Sequence, residues 1–278
     1  MRPQQWTSSC SFPRIRDVVA TYRILYWQEI PSQIKAEDER EEVNVNLPPR
    51  FMERIDQLAA KRGLQGADDY LGLMTPVIKG VLTDKGFENA VNAQQVFGGH
   101  GYIEEWGMSQ FVRDARIAQI YEGANGIQAM DLVGRKLGKD GGRALMAFLN
   151  EVGAYLKERA GSDEMNVYLK PLGQSLAHLQ EASMWFMQNA MAKPDNAGAG
   201  ATDYLHLFGL VALGYMWCRI AEAALAKLPK ANGSAPRYSA KLVTARFFVE
   251  RMLPETATRL ARIKAGAAST MEMPDEQF

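Results

Sequence analysis

Cysteine is nearly absent from this chain of 278 residues, with Cys10 and Cys218 far apart and outside any CxxC spacing. That excludes a disulfide scaffold and a thiolate zinc cluster, and it fits a reducing, cytoplasmic compartment. Histidine is also scarce. His100, His178 and His206 do not cluster at ligand spacing, so no metal site is expected. An excess of one charge is lacking too: 32 Lys and Arg balance 32 Asp and Glu. There is no basic surplus to attract nucleic acid and no acidic solvating arm. HExxH, GxSxG and the P-loop are missing. Gly99-His100-Gly101 is not a dinucleotide fingerprint, because it follows a helical pattern and Glu104 stands where a third glycine belongs.

Long unbroken apolar runs are missing as well. The most apolar window, Phe208 to Ala226, is interrupted by Arg219 and Glu222 and diluted by Gly209 and Gly214. A buried helix explains it better than a membrane span. The first twenty residues hold no continuous apolar stretch, so no signal peptide is expected. Arg2, Arg14 and Arg16 among serines give only a faint transit-peptide character.

What is present is helical patterning. Residues 1–14 are aperiodic. Arg16 to about Glu42 is expected to be helical, with Val19, Tyr22, Leu25, Tyr26 and Ile30 on one stripe and Pro31 as a break. The run KAEDEREE is a solvated helix face, and VNVNLPPR reads as a loop. A second helix spans about Phe51 to Lys61. A third runs from Ala67 through Pro76 to about Phe97, where Gly98-Gly99 ends it. Shorter helical patterns cover Glu105 to Ile120 and Ile127 to Leu137. Tyr121 to Gly126 between them is too rich in Gly and Asn for a helix interior.

The glycine-rich run from Gly138 to Gly142 is the best candidate boundary. It divides the chain into an irregular N-terminus (1–14), a helical domain (15–140) and a second helical domain (141–278). Four amphipathic stripes follow it, joined by the loop-like connectors GSDE, AKPDNAGAGA and PKANGSAP. Met184, Met187 and Met191 read as core filler. Helices with no convincing strand mean an all-α bundle.

The chemistry lies between Gln94 and Gln128. There a helix end opens into a glycine-rich loop whose backbone N–H groups could meet an anion. Glu122 follows on a turn, beside Ile120 and Tyr121. Burial among apolar neighbours would raise its pKa and suit it to general-base work.

This block resembles the C-terminal signature of the flavin-dependent acyl-CoA dehydrogenases. The resemblance rests on Gln95, Phe97, Gly98, Gly99, Gly101 and Tyr102, on Arg113-Asp114-Ala115-Arg116-Ile117, and on Ile120-Tyr121-Glu122-Gly123 with Ile127-Gln128. The second half resembles the extra helical domain of the larger bacterial members. The implied fold is all-α, an acyl-CoA dehydrogenase C-terminal helical bundle followed by an additional C-terminal helical domain.

The resemblance implies Glu122 as the base that takes the α-proton of an acyl-CoA thioester while the β-hydride passes to flavin. It implies Gly123 as a substrate contact, Gln95, Gly98 and Gly99 as contacts to the adenine and pyrophosphate end of FAD, and Ala124 and Gly126 beside the flavin. Ala124 stands where the family usually has threonine and Gly126 where it often has glutamine. A lost hydroxyl bond would cost about 1 kcal/mol of cofactor binding. The implied partners are an acyl-CoA substrate, an electron-transfer flavoprotein, and either further copies of the chain or a complementing chain. The family's N-terminal helical and β-barrel-like domains have no counterpart here, so the chain alone is expected to be inactive. Two other readings stay open: a non-catalytic helical interaction module, and an acyl-CoA oxidase. Arg113, Asp114 and Arg116 are expected to form an ion-pair network, and His100 to be a loop or interface residue.

Overall fold

The computed structural model describes residues 21–27, 30–37, 42–46, 67–190, 193–230, 233 and 235–277, in two compact units, 1–67 and 68–278. In the first unit, β1 (Thr21–Trp27), β2 (Ile30–Glu37) and β3 (Glu42–Asn46) form an antiparallel sheet in the order β1-β2-β3. Ile24 pairs with Ile34, and Ile34 with Val45. The register slips between Leu25 and Tyr26, where Tyr26 pairs with Pro31. Proline has no N–H to give a ladder, and a register irregularity is where a strand tolerates it.

This sheet overturns two expectations, the helix from Arg16 to Glu42 and the loop at VNVNLPPR. Tyr22, Ile24 and Tyr26 also alternate at period two, and Val43 and Val45 alternate with asparagines. Aromatic and β-branched residues at that period favour a strand, and over so short a stretch the two periods overlap. The expected irregular segment 1–14 and the helix from Phe51 to Lys61 lie outside the described residues.

The second unit is all-α, as expected. It comprises α1 (Ala67–Val96), α2 (Gly99–Tyr102), α3 (Met108–Ala118), α4 (Asn125–Asp131), α5 (Arg143–Arg159), α6 (Asp163–Asn189), α7 (Pro194–Lys227), α8 (Ala235–Phe247), α9 (Glu255–Ala265) and α10 (Ala268–Met271). Single π-turns follow α4 at Leu132–Lys136 and α8 at Phe248–Met252.

Helix α7 is the hub. Tyr204, Leu205, Leu207, Phe208, Gly209, Leu210 and Val211 are all buried, so it is covered on several sides. It is long and apolar enough to cross a membrane by length and composition alone, and burial is what its apolarity serves here. Phe208 lies 4.8 Å from Phe148 of α5, and Tyr204 lies 5.0 Å from Phe186 of α6, ring centre to ring centre. The Tyr204 hydroxyl meets Ser183 Oγ at 2.7 Å, which satisfies a polar tip in a fully buried place. Cys218 is buried on the same helix, and desolvation pushes its thiol up to about 12.

Two details differ from expectation. AKPDNAGAGA was expected to be a connector, yet α7 begins inside it at Pro194. Proline suits a first helical turn, and Gly200 packs so close that a Cβ there would lie 2.9 Å from Phe186 Cζ. Met184 and Met187 are exposed rather than core, and Met191 lies outside the described residues. Leu179, Ala182, Ser183 and Phe186 take the buried face of α6 and leave those methionines on the other side.

Helices α1 and α7 touch through glycine. A Cβ on Gly209 would lie 2.5 Å from Val81 Cγ2, and one on Gly80 would lie 2.6 Å from Leu205 Cδ2. Val81 is stiff at χ1 and cannot swing aside. Gly209→Ala is therefore expected to destabilise the unit by about 1–3 kcal/mol, read as a lowered urea midpoint. An unchanged midpoint would show that the helices part at no cost.

Candidate functional site

The site is a turn between α3 and α4. Helix α3 closes with Gln119 N–H donating to Arg116 O and Tyr121 N–H donating to Ile117 O. Asn125 N–H then reaches back to Gln119 O at 3.1 Å, pinching residues 120–124 into a closed loop. The reversal requires two successive left-handed residues, Glu122 at φ +53° and Gly123 at φ +86°. Glycine adopts this at no steric cost, but for glutamate it costs about 1–2 kcal/mol. Glu122 is the single non-glycine at positive φ among the described residues.

The turn is held from beneath by α1. Lys79 Nζ donates to Gly123 O at 2.8 Å and to Asn125 Oδ1 at 2.7 Å. Asn125 Nδ2 donates to Thr83 Oγ1 at 2.9 Å, while the Thr83 hydroxyl donates to Lys79 O at 2.7 Å. The Asp84 carboxylate gathers both ends of the loop on one oxygen. Its Oδ1 accepts from Gln119 Nε2 at 2.7 Å and from Asn125 Nδ2 at 2.6 Å. From α4, Gln128 Nε2 donates to Glu122 O at 3.2 Å. A Cβ on Gly123 would come 2.9 Å from that same nitrogen.

Behind Asp84 stands His206 of α7, with Nε2 2.9 Å from Asp84 Oδ2. A carboxylate only accepts, so Nε2 carries the proton. Burial pushes the imidazole below its usual pKa and Arg259 adds to this, while Asp84 opposes both. Arg259 itself is tied to Asp203 at 2.7 Å and to Glu255 at 2.6 Å.

The structure brings Glu122, Gly123 and Ala124 together on one turn, with Gly126 beside them at the start of α4, and leaves Gln95, Gly98 and Gly99 on the separate junction of α1 and α2. The expectation of a buried carboxylate is corrected, because Glu122 is exposed. Flanking Ile120 and Tyr121 are half exposed themselves and do not close over it. Gln95, Gly98 and Gly99 are also exposed. Nothing lies within 4 Å of where a Cβ would stand on Gly98, Gly99 or Gly126. This open backbone fits close approach by a ligand such as FAD, along an edge rather than within a cavity. Gly101 is different, since a Cβ there would collide with Gln94 O at 2.2 Å. A cavity of about 320 Å³ between Trp185, Asn196, Lys264 and Met271 includes none of these residues.

Around the glycines the surface is apolar. Val96, Phe97, Tyr102, Ile103, Trp106 and Phe111 are all exposed. The ion-pair network expected of Arg113, Asp114 and Arg116 reduces to one ion pair, Arg113 with Glu104 at 2.9 Å, while Asp114 accepts from Gln110 at 2.6 Å and Arg116 donates to Gln119 at 2.8 Å. His100 meets Trp106 edge-on at 5.3 Å. Sequence reading missed Lys79, Thr83, Asp84, Gln119 and His206. A usable signal existed, because Lys79, Thr83 and Asp84 interrupt the apolar stripe that Val77, Gly80 and Val81 bury.

Residues 55–137 match the family described as acyl-CoA dehydrogenase, C-terminal domain. Residues 148–274 match the acetyl-CoA dehydrogenase C-terminal like family, and residues 25–75 match a family described as virulence factor. A 3-methylmercaptopropionyl-CoA dehydrogenase of Ruegeria pomeroyi is 37% identical over 191 residues, 68% of this chain and 32% of that protein. A broad-specificity linear acyl-CoA dehydrogenase of Mycobacterium tuberculosis is 27% identical over 74% of this chain and 35% of its own. A butyryl-CoA dehydrogenase of Syntrophomonas wolfei is 28% identical over 76% of this chain and 35% of its own. The chain thus spans about a third of the length of these relatives.

Proposed function

We propose that this chain supplies the base of an FAD-dependent acyl-CoA dehydrogenase, because residues 55–137 match the acyl-CoA dehydrogenase, C-terminal domain family and residues 148–274 the acetyl-CoA dehydrogenase C-terminal like family. The observation that carries the reading is the backbone of Glu122. A glutamate is held at positive φ by bonds from α1 and α4. Strain of this kind persists where the surroundings over-determine it, and such positions cluster at sites of chemistry.

In this reading Glu122 removes the α-proton of an acyl-CoA thioester, and its backbone N–H polarises the thioester carbonyl so that the proton is more acidic. Gly123 lines the substrate. Gln95, Gly98 and Gly99 would hold the adenine and pyrophosphate end of FAD, with Ala124 and Gly126 beside the flavin. Bound FAD supplies the acceptor for the β-hydride. Electrons then leave to an electron-transfer flavoprotein.

The exposure of Glu122 supports dependence on assembly. Proton abstraction from carbon needs water excluded around the base, and the cover comes from further copies of the chain or a complementing chain in a cytoplasmic complex. The two-part division at about residue 140 gives the first part the chemistry and the second its support. A second reading, a non-catalytic oligomerisation module, is favoured by the exposed face of Val96, Phe97, Tyr102, Ile103, Trp106 and Phe111.

The test is a visible absorbance spectrum of the purified chain with FAD, before and after adding a chain that carries the part of its relatives' length that this chain does not match. Retained flavin that bleaches with an acyl-CoA only in the complemented sample is the expected result. Complementation without flavin retention would favour the module.

A further inference from the structure

We propose that His206 is a positioning residue for the Glu122 turn, acting from α7 through the carboxylate of Asp84. The turn is closed by two residues, Gln119 at its start and Asn125 at its end, and both donate to the same oxygen, Asp84 Oδ1. A single side-chain oxygen therefore braces both ends of the loop, beside the Asn125 N–H to Gln119 O bond that joins them. Asp84 stands on a helix, but its carboxylate turns about a terminal torsion that is broad and roughly two-fold. Rotation there moves Oδ1 and slackens both bonds at once. The partner that stops this rotation is His206, whose Nε2–H occupies the other oxygen, Oδ2, at 2.9 Å.

The geometry that lets His206 reach is also specific. Leu205 lies against Gly80 and Gly209 against Val81, so the backbones of α1 and α7 are close on either side of His206. Asp84 is one helical turn beyond Gly80. The imidazole side chain is only 12% exposed and the carboxylate 27%, so water competes poorly for the bond. The Nε2 tautomer is fixed by the acceptor it faces. Lys79 supports the turn separately, through Gly123 O and Asn125 Oδ1. It does not touch Gln119, so it cannot hold both ends. His206 lies in the portion that matches the acetyl-CoA dehydrogenase C-terminal like family, and the turn lies in the portion that matches the acyl-CoA dehydrogenase C-terminal domain. The second portion thus sets the shape of a loop in the first.

The consequence for catalysis rests on Glu122 being the base, but the positioning itself does not. It is read by amide hydrogen exchange on the full chain, without flavin or substrate. His206→Ala is expected to speed exchange at residues 120–125 about tenfold, the size expected for loss of a bond to a charged group. Exchange in α5 and α6 should stay unchanged. His206→Gln, whose Nε2 can still donate to Asp84, should restore slow exchange. His206→Met, of similar length but with no donor, should not. That pair carries the test even where the alanine variant fails to fold.

Asp84→Ala is the control that must loosen the same segment. If it does so while His206→Met leaves residues 120–125 protected, the proposal is overturned. Equal loosening by the Gln and Met variants also overturns it, because His206 is then only a packing contact between α1 and α7. If Glu122→Gln spares turnover while His206→Met still loosens the turn, the base assignment fails and the positioning stands.

Discussion

Glu122→Gln is expected to lower turnover of the flavin-loaded, complemented assembly by about 10²–10⁴-fold, the usual contribution of a positioned general base. The substitution removes one function and little else. Gln128 holds the backbone carbonyl of Glu122, not its carboxylate, and the Lys79 bonds end on Gly123 and Asn125. Glutamine has the same length and a Cβ with the same left-handed penalty. The turn should therefore keep its shape, and far-UV circular dichroism and the urea midpoint should not move. Steady-state turnover with an acyl-CoA and an artificial electron acceptor checks the loss. Undiminished turnover would remove Glu122 from the chemistry. A chain that serves only as a module predicts no change in any of these measurements.

Phe208→Ala is expected to cost about 3–5 kcal/mol of unfolding free energy. The ring is fully buried at the hub of α7, against Phe148 at 4.8 Å and Tyr204 at 6.3 Å. Tyr204 cannot move in to fill the space, because its hydroxyl is tied to Ser183. The hole therefore stays open, and the loss includes cavity as well as transfer free energy. Against a typical net stability of about 5–15 kcal/mol, that is a large share. A chemical denaturation curve measures it, and a shift below about 1 kcal/mol would mean the core had collapsed around the hole. Because the same helix carries His206, a partly unfolded variant should also lose the protection of the Glu122 turn.

Much of the helical unit was legible in the sequence, since its helices bury clean stripes. Leu145, Phe148, Leu149 and Val152 of α5 stand at helical spacing in the sequence and are buried. The strands were not legible, because Tyr22, Leu25 and Tyr26 satisfy a helical stripe while Tyr22, Ile24 and Tyr26 satisfy an extended one. Choosing between them needs the partner strand, and pairing across it is non-local. The site divides the same way. Glu122 and its glycines stand in one contiguous stretch and could be found by pattern. Asp84 and His206 are 122 positions apart in the numbering, and only the α1–α7 crossing makes them neighbours. The exposure of Glu122 was illegible for a related reason: flanking apolar residues bury a carboxylate only if they fold over it.

The strained backbone at Glu122 also has an evolutionary reading. Glycine would sit at φ +53° without penalty, and asparagine with less penalty than glutamate. Selection for folding alone would thus reward replacement at this position, where one base change in a glutamate codon already gives glycine. A lineage that used the chain only as a scaffold should drift that way within the turn, while Gly123 and Asn125, which the fold itself requires, stay put. If Glu122 is the base, as proposed, position 122 works as a gauge of use. Glutamate there marks a lineage still bearing the cost, and glycine or asparagine marks one released from it.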